Sequence, residues 1–236
     1  MSTWKDVMPD YEIVCWDTNM FDINSNVFVS EAFAAKKWAF AADYIRIHAL
    51  LNHGGIYLDT DVVVKKRFDE FLQYDFFTSM EYHYLEAQGQ NATDRLNEDG
   101  SSKTPNTPIP GIGLQGAILG GIKGHKFLGD CLNWYQNKHF ILDDGSFHDK
   151  VILPSILAMI AEKYGFLYID KLQQLTENML ILPSEIFAGD DDQATSNAYA
   201  IHRCFGSWRD RRKKNRLDTL ISRLNRYLFH HPQRRS

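Results

Sequence analysis

The stretch that most constrains this 236-residue chain is Gly54-Gly55-Ile56-Tyr57-Leu58-Asp59-Thr60-Asp61-Val62-Val63-Val64. Paired glycines stop a preceding helix, because glycine alone takes positive φ without steric cost. The β-branched and aromatic run that follows predicts a buried strand. Two carboxylates stand in the middle of that strand, one residue apart. An unpaired buried carboxylate is strongly unfavourable, so Asp59 and Asp61 need cationic or hydrogen-bonding company. Alternate residues of a strand share a face, which lets both carboxylates reach one cation. Hard oxygen ligands suit Mg²⁺ or Mn²⁺, which bind through one or two carboxylates and substrate phosphates. A bare Asp-x-Asp also serves as a strand-end pair facing solvent or arginine, so the surroundings must decide.

The chain is long enough for one domain with a sizeable core. Its 44% hydrophobic and 24% charged content is ordinary for a soluble globular protein. No apolar run is long enough to span a bilayer, and Met1-Ser2-Thr3-Trp4-Lys5-Asp6 lacks the apolar core of a signal peptide. Cys15, Cys131 and Cys204 are widely spaced and odd in number, which points to a reducing, cytoplasmic setting and away from a zinc site. The net charge of −4 hides a split: residues 209–236 carry ten Lys/Arg and two Asp/Glu, a balance of +8, and the rest carries −12. We therefore expect a main domain over 1–208 and a basic amphipathic helix over 209–236, where Leu217, Leu220, Ile221, Leu224 and Leu228 keep helical spacing. Such a tail suits an anionic membrane surface, whereas the acidic body argues against nucleic acid.

Strand signals fall at 11–16, 76–80, 111–121, 181–187 and 198–202, and helical ones at 31–53, 124–138 and 149–164. Ser30 is the expected N-cap of the 31–53 helix, on which Asp43 and Arg46 are surface neighbours three residues apart. Residues 82–110, with Pro105, Pro108 and Pro110, predict a long irregular insert. The glycines of 111–121 match neither the P-loop nor the dinucleotide fingerprint, and suit a strand approached closely by other backbone. Strands alternating with helices indicate an α/β fold.

The ordered set Asp43-Tyr44-Ile45-Arg46, then Gly54 through Asp61, resembles the DXD signature of glycosyltransferase family 32. That family includes bacterial capsular and lipopolysaccharide glycosyltransferases and yeast initiating α-mannosyltransferases. Pro9-Asp10-Tyr11-Glu12-Ile13, Phe21-Asp22, Gly116-Ala117-Ile118, Gly124-His125, Pro183 with Phe187, and Ile201-His202 through Ser207-Trp208 extend the likeness over most of 4–208. The resemblance implies a GT-A-type mixed sheet flanked by helices, a UDP- or GDP-hexose donor, Mn²⁺ or Mg²⁺, and retention of anomeric configuration. It implies a saccharide or lipid-linked acceptor in surface polysaccharide synthesis; the cysteines and the basic tail give the expectation of a cytoplasmic enzyme, peripheral at the inner face of the membrane.

By position in that family, Asp61 is the direct metal ligand, Asp59 is shared between donor and metal, and His202 is a late third ligand. Asp43, Arg46, Gln115, Ser207 and Trp208 contact the donor, with Arg46 also serving catalysis beside Asp59 and Asp61. Either Gln115 or Glu81 is a candidate for a place near the anomeric carbon. Members of the family usually open with a strand that this sequence lacks, so a nucleotide-sugar-binding remnant without activity is the alternative. Asp-x-Asp followed by valines also resembles the first motif of haloacid-dehalogenase phosphatases. Gln193 and Ala194 stand where their late acidic residue would be required.

Overall fold

In the computed structural model, which describes residues 2–17, 19–191 and 193–203, the single helix expected over 31–53 is two. Helix α1 covers Ser2–Val7, α2 Val27–Ala34 and α3 Trp38–His53. Lys36 takes φ +57°, a left-handed conformation that no helix interior tolerates, and so separates α2 from α3. The N-cap moves accordingly: the Asn26 side chain accepts from Val29 N–H at 3.2 Å. Ser30 lies inside α2 and donates to the Val27 carbonyl. Asparagine outcompetes serine here because its oxygen stands where the orphan N–H groups of α2 point.

The strand expected over 55–64 is also divided. Strand β1 is Gly55–Leu58 and β2 is Val62–Val64, with Asp59-Thr60-Asp61 forming the turn between them. The Asp59 carbonyl accepts from Val62 N–H at 3.0 Å and closes that turn. The chain continues through β3 Phe76–Tyr82, α4 Tyr84–Gly89, β4 Ile112–Leu114, β5 Ile118–Gly121, α5 Lys126–Trp134 and α6 Leu153–Ala161. It ends in β6 Gln173–Leu175, β7 Met179–Leu182, β8 Phe187–Ala188 and β9 Ala200–His202.

Strands β1-β5-β3-β7-β6 lie side by side in that order, with β4 also paired to β3, and β2-β9-β8 form a separate small sheet. β3 and β7 are parallel, whereas β1–β5, β5–β3 and β6–β7 are antiparallel. The fold is thus a mixed α/β sheet flanked by helices, consistent with a GT-A-like domain. One buried cluster lies on the helix side, around Ile47, Leu50, Phe76, Met80, Leu119 and Phe127. The other joins the small sheet to the main one through Phe68, Phe77, Ile118, Leu180 and Phe187. Trp4 of α1 reaches this second core and donates its indole N–H to the Val62 carbonyl at 2.8 Å.

Residues 11–16, expected as a strand, join no ladder among the described residues; Ile13 and Val14 are exposed. An apolar run becomes a strand only where a neighbour offers backbone partners. The close approach expected around the glycines of 111–121 is present. A Cβ on Gly120 would sit 2.0 Å from the Phe77 ring, and one on Gly113 would sit 2.8 Å from the Pro154 backbone. The insert of 82–110 is less irregular than expected, since it holds α4 and a 3₁₀ turn at Ala92–Arg95. No described helix is long and apolar enough to cross a membrane. A first compact unit spans Met1–Phe205. Ser207, Trp208 and the basic segment 209–236 lie outside the described residues.

Candidate active site

The turn between β1 and β2 carries the site. Because β1 belongs to the large sheet and β2 to the small one, Asp59 and Asp61 bridge the two. Asp59 is anchored through its backbone, whose N–H donates to the Ala117 carbonyl at 2.9 Å. His202 ends β9, where the β2–β9 register sets it opposite Val62, one residue beyond Asp61. Its Nε2 lies 3.3 Å from Asp61 Oδ1 and 3.8 Å from Asp59 Oδ2. One ligand atom from each of the three lies within 4.8 Å of the others. The carboxylates thus converge through a turn and a cross-strand histidine, and not by strand alternation as the sequence suggested.

Behind them sits Arg46, 7% exposed, projecting from the middle of α3. Its Nη2 meets Asp43 Oδ1 at 3.0 Å, and its Nη1 meets both oxygens of Asp59 at 3.2 and 3.3 Å. Nη1 also donates to the Gly116 carbonyl at 2.8 Å, and Nε to the Ala42 carbonyl at 3.3 Å. The guanidinium stands over the Tyr57 ring, 4.7 Å from its centroid, and the Tyr57 hydroxyl donates to Asp59. One guanidinium therefore orients two carboxylates, a geometry its planar fork allows and an ammonium does not.

Burial sets the charge states. It pushes the Asp43 carboxyl up to about 7; Arg46 works against that shift, while the charges of Asp59 and Glu81 reinforce it. The Leu153 N–H at the start of α6 donates to the same carboxylate. Burial also opposes the charge on Arg46, but Tyr57, Asp59 and Asp43 outweigh it and hold the guanidinium above its ordinary range. Burial and then the nearby Asp59 charge raise the Tyr57 hydroxyl.

Gln115 is 1% exposed, and its side-chain oxygen accepts from Ala117 N–H at 3.0 Å. It holds the 115–117 turn whose carbonyls receive Arg46 and the Asp59 N–H. Tyr57 was not singled out in the sequence. The available signal was its position two residues before Asp59 on the same strand face. The donor set of Asp59, Asp61 and His202, two carboxylate oxygens and an imidazole nitrogen, fits a divalent cation such as Mn²⁺ or Mg²⁺.

Residues 1–78, which contain Asp43, Arg46, Asp59 and Asp61, match the family described as the glycosyltransferase sugar-binding region containing a DXD motif. The match supports a glycosyltransferase. His202 and Gln115 lie beyond the matched segment and join the site through the fold alone. A comparison with curated proteins finds no match. Glycosyltransferases with this motif typically use a divalent metal, and Asp59, Asp61 and His202 form a group able to hold one.

Proposed function

We propose that this protein is a metal-dependent, retaining glycosyltransferase of family 32. It moves a hexose from a UDP- or GDP-linked donor to a saccharide or lipid-linked acceptor in bacterial surface polysaccharide synthesis, capsular or lipopolysaccharide. The observation that carries this proposal is the convergence of His202 on Asp59 and Asp61 beside the Arg46 hub, the two aspartates and the arginine lying on a segment that matches a sugar-binding region.

In this reading Asp59, Asp61 and His202 hold the cation. When bound, it would stabilise the negative charge that grows on the departing diphosphate. Arg46 fixes Asp59 and Asp43 in place and adds a buried positive field on the same side. Asp43 accepts from donor hydroxyls, and Gln115 completes the donor-binding set through the turn it holds. The family resemblance adds Ser207 and Trp208, which lie outside the described residues, to the proposed donor-binding set. The basic segment 209–236 rests on anionic lipid at the cytoplasmic face, a role supported by its +8 balance.

A thermal-melt panel of UDP, GDP and their hexose conjugates, each with and without Mn²⁺, tests the proposal. One nucleotide should raise the melting point only with Mn²⁺, and Asp61→Ala should abolish that rise. A ligand at 100 times its Kd adds about 2.7 kcal/mol to a folded state it binds alone. No shift with any nucleotide would overturn the glycosyltransferase activity and leave the motif as a remnant.

A further inference from the structure

Beyond the donor side, one carboxylate has no role in the scheme above. Glu81 stands near the end of β3 with its side chain 14% exposed. Strands β1 and β3 run in the same direction with β5 between them, since each is antiparallel to β5. Asp59, just past the end of β1, and Glu81 therefore emerge at the same edge of the sheet. Two strand spacings put their backbones about 10 Å apart. In open α/β sheets ligands lie outside the carboxyl ends of the strands, which is where both residues stand. The Glu81 charge is also felt at Asp43, so it belongs to the same acidic crevice.

Its bonding is incomplete. His83 Nε2 lies 2.7 Å from Glu81 Oε1, and the other carboxylate oxygen has no hydrogen bond among the described residues. That oxygen is not sealed in the core, so solvent or a ligand hydroxyl can reach it. Asp43 and Asp59 share the Arg46 guanidinium, whereas Glu81 is paired with His83 through one oxygen.

We propose that Glu81 is the acceptor-side catalytic residue, receiving the incoming hydroxyl of the acceptor, and that His83 positions it. The inference rests on the nucleotide-sugar reading of the neighbouring site. The acceptor oxygen bonds to the anomeric carbon on the face from which the diphosphate departs, as retention requires; the bond from that carbon to the diphosphate breaks and its electron pair leaves with the diphosphate. The hydroxyl proton passes to Glu81. The acceptor class is therefore a neutral hydroxyl, of a sugar or of water, approaching from the β3 side.

The test combines two readouts on the full chain with Mn²⁺ and the donor that shifts its melting point. One is the melt shift itself; the other is release of nucleoside diphosphate, with water or with methyl hexopyranosides as acceptor probes. Glu81→Gln should keep the donor-dependent shift while diphosphate release falls 100-fold or more, the scale on which a general base acts. His83→Gln, which keeps an N–H donor, should retain more activity than His83→Ala, also with an unchanged shift. Glu81→Gln releasing diphosphate at the wild-type rate would overturn the proposal, as would loss of the donor shift in that variant. A wild type with no donor shift would overturn the donor-site reading and this inference together. The two failures are thus distinguishable.

Discussion

The protein uses one device twice, in different surroundings. Arg46 is shared by Asp43 and Asp59 and lies over Tyr57, whose hydroxyl bonds Asp59. Arg67 is shared by Asp10 and Asp69 and lies over Tyr11, whose hydroxyl reaches Asp69. The surface cluster has the better distances, 2.6 Å to each aspartate, yet Arg67 is 40% exposed where Arg46 is 7%. Exposure reverses the acids. The hydrogen bond from Arg67 takes Asp10 down to about 2, whereas burial lifts Asp43 up to about 7 despite its arginine. Solvent lets a short ion pair act as a simple attraction. Removing solvent makes the cost of the second charge the larger quantity.

The largest break in that comparison is Arg46→Met. It leaves two carboxylates without their cation, a change that costs about 3–5 kcal/mol at buried pairs. Urea denaturation should register that loss, and the Mn²⁺-dependent donor shift should weaken with it. A stability near wild type would mean that Asp43 and Asp59 are solvated in the folded protein.

The pH dependence sharpens the contrast because the two acids move in opposite directions. Asp43 is raised from 3.8 to about 7, so the folded state holds its proton more tightly than the unfolded chain. Its contribution is complete below about pH 4 and is lost as pH rises to 7, by up to about 1.4 kcal/mol per unit. Wild type should lose stability relative to Asp43→Asn over that range in metal-free buffer, and the difference should level off above it. A flat difference would mean that Arg46 keeps the carboxylate ionised throughout. Asp10 behaves in the opposite sense: lowered from 3.8 to about 2, it contributes above the upper value and is lost as pH falls through the lower.

The smallest effect belongs to Arg67→Ala. Exposed pairs lose their attraction to solvent screening, however short they are. Its melting temperature should differ from wild type several-fold less than that of Arg46→Met, and the difference should shrink in high salt. A loss equal to that of Arg46→Met would show that the bridge from Asp10 to Asp69 anchors α1 to the small sheet.

Much of the site was legible because its signals are local. Helical spacing alone predicts that Asp43 and Arg46 meet, and they do, at 3.0 Å. The same holds for the glycine stop before β1 and for the close packing at Gly113 and Gly120. What failed was continuity. An apolar run with good strand propensity gives no sign that its halves will join two different sheets. The break at Lys36 and the unpaired run at 11–16 were hidden for a related reason: both depend on what the rest of the chain offers as a neighbour.

The sequence by itself determined the chemistry available: an acidic pair after a glycine stop, an arginine on the preceding helix and a late histidine. Those depend on residue identity and short-range spacing, which the chain carries wherever it folds. Only the tertiary structure decided that His202 arrives beside Asp61 across the β2–β9 ladder, and that Gln115 holds the turn receiving Arg46. It alone decided which arginine loses its water. Burial and cross-sheet register are sums over contacts distant in sequence, and they set how strongly each charge acts.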